Sequence, residues 1–468
     1  MIFFQFSQLA KDISIASMII HERRNLLAPV NRLPLDVLCL IPIHLASLSD
    51  RLRITFVCRH WRRTFLQYAA LWSQLSLTGK TDRLLTRVLL KRARGSPLDI
   101  TADYYESPIH DVTLLFPFSR QIRSLKLKST SSDAVQDLSV AISGPLPLLR
   151  TIEIDAIPYW GGPKSRVAPT LPLFEGAVNL KNLLLHIHDH PSLHHFAFPN
   201  LTTLNFSTDT LEFPVSRLLN FLEASPALRQ IWMRIEAYTF DEDVPAERII
   251  VLSHVKTFDL GVTNYDPGCE FTTHISCPFA KHVEFSHMLE GAGDNVPKDA
   301  YPPSIPWNAI ARQYTKGTVE RVVLEITMDE ELHIDCSITF RSSERATLKL
   351  CYNHLTTEED FDMEMNLKER LPVVFSQALR TIRNHPLLAN VRHLHIKGGD
   401  LVIHDLRLAA EGIGRLLGSM GQLENLTLEG CDLRPYLDAF LDTPLFPEAI
   451  QPASFPSIKE LVIIHPIQ

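Results

Sequence analysis

The histidine-rich segment 186–195 holds the side chains of this 468-residue sequence that are best suited to metal chemistry. His186 and His188 stand two residues apart, and Asp189 follows directly. Two imidazoles at the end of a strand can share a zinc ion with a carboxylate, which gives the hypothesis of a metal-dependent hydrolase. The spacing matches none of the usual zinc motifs, and His186 directly follows an apolar triplet, in the exit turn of a predicted strand. We therefore expect exposed loop histidines and no bound metal.

No other segment of the sequence offers a catalytic set. A nucleophile elbow and a phosphate-binding Walker loop do not occur, and Gly412-Ile-Gly414 lacks the third glycine and the preceding strand of a dinucleotide-binding motif. The carboxylates Asp329, Glu330 and Glu331 lie in a polar stretch with nothing nearby to perturb them. We therefore predict that the protein is not an enzyme and uses no cofactor.

The charges are unevenly distributed along the chain. The total of 46 basic and 53 acidic residues gives a net charge of −7, which argues against a dedicated nucleic-acid binder. Residues 1–100 contain 15 Lys+Arg and 6 Asp+Glu, so a basic head precedes an acidic body. The basic stretch 83–94 alternates with leucines and has no aromatic platform, as is typical of the solvent face of an amphipathic helix. Either part can dock a partner of opposite charge, but we expect no nucleic acid.

Cysteine usage and hydropathy indicate the compartment. The seven cysteines are scattered and form no C-x-x-C pair, which favours reduced, buried thiols and an intracellular protein, cytoplasmic or nuclear. No window reaches the length of about 18 apolar residues that a membrane span needs, so no membrane partner is expected. Gln5, Ser7 and Gln8 interrupt the apolar start, unlike a signal peptide. Residues 1–29 are predicted to be an N-terminal extension, either a short amphipathic helix or a loose segment.

Residues 30–75 have the pattern of a small helical domain. Pro34 can occupy the first turn of a helix, where its missing N–H costs nothing. Pro42 falls inside the same helical pattern, so this helix must stop near residue 41 or kink there. Ser49 or Asp50 can cap a second helix. Apolar side chains recur along that second helix at close to helical spacing: Leu52, Phe56, Trp61 and Phe65.

From residue 76 onward, apolar triplets of the form L-x-x-L-x-L recur, and the first five steps between them are 27, 31, 21, 27 and 27 residues. The last two apolar residues of a triplet share one face of a short strand. Such a period is typical of a leucine-rich-repeat-like solenoid, in which stacking buries each strand face. We therefore predict an α+β or α/β fold, with a small helical head and an irregular leucine-rich-repeat-like solenoid over 76–468. The triplets begin at Ile122, Leu149, Leu180, Leu201, Leu228, Val255, Ala280, Val319, Val391, Leu423 and Ile458.

Three segments of the head resemble an F-box. They are 33–38 (Leu-Pro-Leu-Asp-Val-Leu), 57–63 (Val-Cys-Arg-His-Trp-Arg-Arg) and the pair Leu71-Trp72, in the order and at the spacing of that family. The resemblance covers about 45 residues, and the basic segment 92–100 joined to irregular leucine repeats is similar to the large fungal group of F-box proteins. Two positions depart from the family pattern: Asp36 replaces the more frequent Glu, and Pro42 replaces a large apolar residue.

The resemblance implies a substrate-recognition subunit of a Skp-cullin-F-box ubiquitin ligase. The box would bind a Skp-type adaptor, and the C-terminal region would bind an unknown target protein. The alternative is a leucine-rich-repeat interaction scaffold without a ligase role, whose head only caps the repeats. The residues that match the apolar positions of the family are the predicted adaptor-binding or inter-helix residues: Leu33, Pro34, Leu38, Ile41, Val57, Cys58 and Trp61.

Overall fold

The computed structural model divides the chain into two compact units. Unit 1 comprises Met1–Gly162 and Leu171–Asn179, and unit 2 comprises Pro163–Thr170 and Leu180–Gln468. The residues that the structure describes are 2–45, 47–78, 82–103, 112–129, 142, 144–156, 177–187, 197–208, 213–235, 238–239, 244–245, 247–262, 271, 274–290, 319–328, 334–342, 347–355, 388, 390–398, 417, 419–429 and 458–464.

Unit 1 begins with a helical region, as the sequence predicts. Within the described residues its α-helices are α1 Ile2–Leu27, α2 Leu35–Leu40, α3 Leu48–Ile54, α4 Arg59–Gln67 and α5 Arg83–Ala93. Short 3-10 helices lie at Pro29–Arg32, Ile41–His44, Ala69–Trp72 and Val112–Gln121.

Proline and capping chemistry set the limits of the second and third helices. Helix α2 ends at Leu40, and Pro42 lies in the tighter 3-10 turn that follows, because a proline cannot continue the α-helical bonding. Helix α3 is capped by Ser47, whose Oγ accepts a bond from the Asp50 amide at 3.0 Å. The sequence predicts a cap at Ser49 or Asp50 instead. That prediction is wrong because both residues lie inside the helix.

The core of the helical region is shared with the first strand of the sheet. Trp72 is completely buried and donates from Nε1 to the carbonyl of Phe65 at 2.9 Å, while the Arg92 guanidinium lies 5.0 Å from its ring centre. Arg51 is buried as well, and its Nη1 donates to the carbonyls of Leu71 at 2.9 Å and Gln74 at 2.8 Å. These contacts join helix α3 directly to the segment that enters the sheet.

The strands of unit 1 pair in parallel and in chain order. They are β1 Gln74–Thr78, β2 Leu98–Asp103, β3 Ile122–Ser129 and β4 Thr151–Ala156. Side chains alternate between buried and more exposed positions, as strands covered on one face require. Helix α5 connects β1 to β2, and Asp82 caps it by accepting from the Leu84 amide at 2.7 Å. This helix is the amphipathic one that the sequence predicts, with Leu89 and Leu90 buried.

Unit 2 contains one large sheet, two short strand pairs and helix α6 Val215–Glu223. Its sheet order is β5-β6-β8-β11-β13-β16-β15-β14-β17-β18-β19. The short pairs are β7 Phe213–Pro214 with β9 Tyr238–Thr239, and β10 Ile250–Val251 with β12 Ile275–Ser276. The strands of the large sheet are β5 Asn182–Ile187, β6 Thr203–Thr208, β8 Gln230–Ile235, β11 Thr257–Val262, β13 His282–Glu290, β14 Val319–Met328, β15 Ile334–Ser342, β16 Thr347–Leu355, β17 His393–Gly398, β18 Asn425–Glu429 and β19 Glu460–Ile464.

The prediction of a leucine-rich-repeat-like solenoid is wrong. The last two residues of every apolar triplet do lie on a strand, but the strands build an α/β arrangement with a large, mostly parallel sheet. The strand β15 is antiparallel to both of its neighbours, and β13 pairs with β16 rather than with β14. Stacked repeats would keep chain order throughout. The alternation of apolar residues did not distinguish a solenoid from this α/β sheet, because any strand that is buried on one face has alternating apolar residues.

The two Nη1 bonds of Arg51 make a direct prediction for stability. We expect Arg51→Leu to lower the free energy of unfolding by about 2–4 kcal/mol, because the Leu71 carbonyl loses its donor at a buried position and the Gln74 carbonyl loses its donor at a part-buried one. Arg53→Leu is the matched control on the same helix, and its side chain is 78% exposed. The control should change the free energy of unfolding by no more than about 0.5 kcal/mol. Urea unfolding measures both values, and equal losses would contradict the assigned role of Arg51.

Candidate partner-binding surface

The start of helix α2 carries more apolar side chains than the helical region buries. Only Leu38 and Cys39 of this helix are buried. The apolar side chains that stay exposed on the helix and on the residue preceding its N-cap are Leu33, Leu35, Val37 and Leu40. A six-residue helix with apolar residues on several faces cannot bury them all against one neighbour.

The turn between α3 and α4 adds two further exposed apolar side chains. Phe56 is 70% exposed and Val57 is 60% exposed, although both sit in the middle of a hydrophobic sequence pattern. The Arg62 guanidinium lies 5.4 Å from the centre of the Phe56 ring, within the range of a cation–π contact. We call Leu33, Leu35, Val37, Leu40, Phe56 and Val57 the exposed apolar set of the head.

The seven predicted site residues divide between interior and surface. Leu38 is completely buried, so it packs inside the head. Ile41, Cys58 and Trp61 are half-buried, while Leu33, Pro34 and Val57 are exposed. The exposed members therefore lie just before helix α2, at Leu33 and Pro34, and in the turn between α3 and α4, at Val57. Leu38 differs from them because its side chain is in the interior.

Trp61 connects three parts of the head. Its ring meets Phe65 edge-on, with ring centres 5.4 Å apart and planes at 88°. Its Nε1 donates to the side-chain oxygen of Asn31, and the amide nitrogen of Asn31 donates in turn to the Asn25 carbonyl of helix α1. The indole therefore positions the end of α1 against α4, and substitution of Trp61 would disturb the head itself as well as any partner contact.

The histidine cluster mostly lies outside the described residues. His186 is half-buried at the end of β5, whereas His188 and Asp189 belong to the part of the chain that is not described. Within the described ranges, no group of three His, Cys, Asp or Glu residues could hold a metal ion. Cys39 and Cys277 are free thiols, and burial raises the pKa of the Cys277 thiol to about 12, so it is not a nucleophile near neutral pH.

A polar cluster around the buried His395, on the sheet of unit 2, was not foreseen from the sequence. His395 on β17 is 8% exposed, and its Nε2 lies 2.8 Å from a Glu429 oxygen on β18. The Arg321 guanidinium on β14 lies 3.2 Å from His395 Nδ1, which fixes that nitrogen as the acceptor and Nε2–H as the donor. Burial lowers the pKa of His395, and this effect outweighs the opposing pull of Glu429.

Sequence reasoning missed Leu35, Val37, Leu40 and Phe56 as surface residues, because apolar spacing alone does not say which face of a short helix is covered. It also missed Asn31, whose polar side chain gave no motif. Helix α2 is too short for its apolar spacing to define one buried face. Only the three-dimensional packing shows that Leu38 is buried while Leu35 and Leu40 are exposed.

Comparisons with known proteins do not assign the chain to a family. Neither models of known protein families nor curated proteins match this sequence. Among the described residues, no helix combines the length and the apolar character that crossing a membrane requires.

The His395 cluster predicts a pH dependence of stability. The folded-state pKa is lowered, so the unfolded chain binds the proton first as the pH falls, and the stabilisation present at pH 7 and above is lost on acidification below the unfolded pKa of about 6.5. We expect the wild type to lose more stability than His395→Gln between pH 7.5 and 5. Urea unfolding at several pH values measures this difference. Parallel pH profiles for the two proteins would contradict the assignment.

Proposed function

We propose that this protein is a substrate-recognition subunit of a Skp-cullin-F-box type ubiquitin ligase. The head binds a Skp-type adaptor, and the C-terminal region binds a target protein that the sequence does not identify. The protein itself performs no chemistry and works inside the cell, in the cytoplasm or nucleus. The exposed apolar set of the head is the observation that carries the proposal, together with the F-box-like motif in the same residues.

The exposed apolar set lies outside the packed interior of the head. The interior is already filled by Leu38, Phe65 and Trp72, each with no exposed surface. Fully burying one exposed large apolar side chain contributes about 1.5–3 kcal/mol. The six members are 38–70% exposed, so each would contribute a part of this on binding a protein partner. Large exposed apolar patches on a folded domain are typical of protein interaction sites.

The sheet of unit 2 offers a polar face that suits recognition of a protein. Trp232 on β8 lies in register between Asn205 on β6 and Asp259 on β11. Arg234, two residues further along β8, pairs with Asp259 at 2.6 Å. Tryptophan and arginine are the residues most enriched at the energetic centres of protein interfaces. The Arg234 side chain lies over its neighbour on β11, Gly261. A Cβ atom at position 261 would stand only 2.8 Å from Arg234 Nη1, so the missing side chain of Gly261 leaves room for the arginine.

A second candidate function is an interaction scaffold without a ligase role. The observation that favours it is the bond from Arg51 to the Gln74 carbonyl, which joins the head to the first strand of the sheet. Under this alternative the head stabilises unit 1 and the exposed apolar set has no adaptor to bind. Binding of a Skp-type adaptor separates the two functions.

We predict that the purified full chain binds a Skp-type adaptor and that Leu35→Asp and Phe56→Asp each weaken the complex by more than tenfold, about 1.4 kcal/mol. A charge placed in the interface must be desolvated without a partner. The matched control is Phe279→Asp in unit 2, which replaces a side chain that is 58% exposed outside the head. Titration calorimetry with the isolated adaptor measures the affinities.

Two results would contradict this proposal. Absence of adaptor binding by the wild type excludes the ligase role and leaves the scaffold. Equal affinities of the wild type, Leu35→Asp and Phe56→Asp would show that the adaptor uses another surface. Because both substituted side chains are already exposed, Leu35→Asp should unfold at the same urea concentration as the wild type, and Phe56→Asp, which loses the Arg62 contact, should lose no more than about 1 kcal/mol of stability. These measurements check that the fold is intact.

A further inference from the structure

Helix α1 carries a second exposed apolar surface, and its residues follow a strict seven-residue repeat. Phe6, Ile13, Ile20 and Leu27 stand seven residues apart, and each is 60–66% exposed. A second series lies three residues after the first three of these positions: Leu9, Ala16 and Arg23. Apolar residues spaced alternately three and four apart form the a and d positions of a two-stranded coiled coil. We call these seven residues the heptad seam.

The opposite side of α1 already has a neighbour. Arg59 of helix α4 contacts the Met18 sulfur and pairs with Glu22 at 3.6 Å. Asn31 fixes the end of the helix through the Asn25 carbonyl. Met18 is 39% exposed, well below the residues of the heptad seam. The helix is therefore attached to the head by one side, and the seam lies on another.

We propose that the heptad seam pairs with the same seam of a second copy of this chain, in antiparallel orientation. A helix of 26 residues is about 39 Å long, enough for three heptads of contact. A self-complementary seam satisfies the two-fold symmetry that most homodimers have. Pairing also removes from water the apolar side chains that are otherwise more than half exposed.

The position of Arg23 decides the orientation. In a parallel pair the two Arg23 guanidinium groups would face one another in the same d layer, which places two like charges in an apolar seam. In the antiparallel pair each Arg23 faces the partner's Phe6, where a guanidinium can lie against an aromatic ring. The same register sets Leu9 against the partner's Ile20, and Ile13 against the partner's Ala16. All of these layers pair an a position with a d position.

The oligomeric state of the full chain tests the proposal. We expect light scattering after gel filtration to give twice the chain mass at micromolar concentration. Ile13→Glu and Ile20→Glu should each raise the dissociation constant of the dimer by more than about tenfold, because a carboxylate enters an apolar layer. Ser14→Glu is the matched control: it adds the same charge to the same helix outside the seam and should leave the dimer intact.

A wild-type chain that stays monomeric overturns the proposal, as does a dimer that Ile13→Glu and Ile20→Glu leave unchanged. Circular dichroism shows whether these variants keep their helix content. Loss of helix in one variant leaves the other to decide, and loss of the dimer in the Ser14→Glu control as well would overturn the assignment to the seam.

Disulfide trapping tests the orientation. A mixture of the Leu9→Cys and Ile20→Cys chains should form a mixed disulfide under mild oxidation, located by mass spectrometry between the two introduced thiols. The Leu9→Cys chain alone should not link to itself through position 9, because the two copies of this position lie far apart in the antiparallel pair. Linkage of Leu9→Cys to itself would show a parallel pair and overturn the antiparallel assignment.

Discussion

The structure of unit 1 depends on the hydrogen bonds that Trp72 and Arg51 donate to backbone carbonyls between helix α4 and the first strand. Trp72 is completely buried in the helical region and donates its single N–H to the Phe65 carbonyl, so the polar atom of the ring keeps a hydrogen bond. Arg51 carries a charge into the same interior, and burial lowers its pKa; its Nη1 donates to the carbonyls of Leu71 and Gln74, whereas its buried Nε has no hydrogen-bond partner among the described residues. The two Nη1 bonds offset part of the cost of burying the guanidinium at the point where helix changes to strand.

This junction explains why apolar residues remain at the surface of the head. The short helices α2, α3 and α4 bury Leu38, Ile54 and Phe65, and helices of six to nine residues can turn only one face toward the interior of the head. The remaining apolar side chains point elsewhere. The head therefore has a filled interior and keeps several apolar side chains at its surface.

How far the sequence predicts this structure differs from element to element. The apolar triplets located the strands because burial on one face requires alternation, and Pro42 correctly ended α2 because proline lacks the amide that a helix needs. The solenoid prediction failed because alternation describes a strand and not the path between strands. β15 and β16, which lie in the long step between the triplets at Val319 and Val391, enter the sheet between β13 and β14. The exposed apolar set could not be separated from the core by spacing alone, since Leu35, Leu38 and Leu40 lie within one and a half turns of the same helix.

The polar network of His395, Arg321 and Glu429 illustrates the same limit. These residues are separated by up to about a hundred positions in the sequence and meet only because three strands pair in the observed order. Strand pairing in a large sheet is decided by long-range contacts, which local sequence patterns do not contain. The heptad seam of α1 is the opposite case: its repeat is entirely local and can be read directly from the sequence once the helix is known.

The central claim is that the surface apolar residues of the head, and not its core, meet the adaptor. Hydrogen exchange of the backbone amides, measured with and without a Skp-type adaptor, tests it most directly. We expect slower exchange in segments 33–40 and 55–58, with no change in segment 69–75, which the Trp72 junction already protects. Unchanged exchange in the first two segments, or slowing confined to the sheet of unit 2, would contradict it.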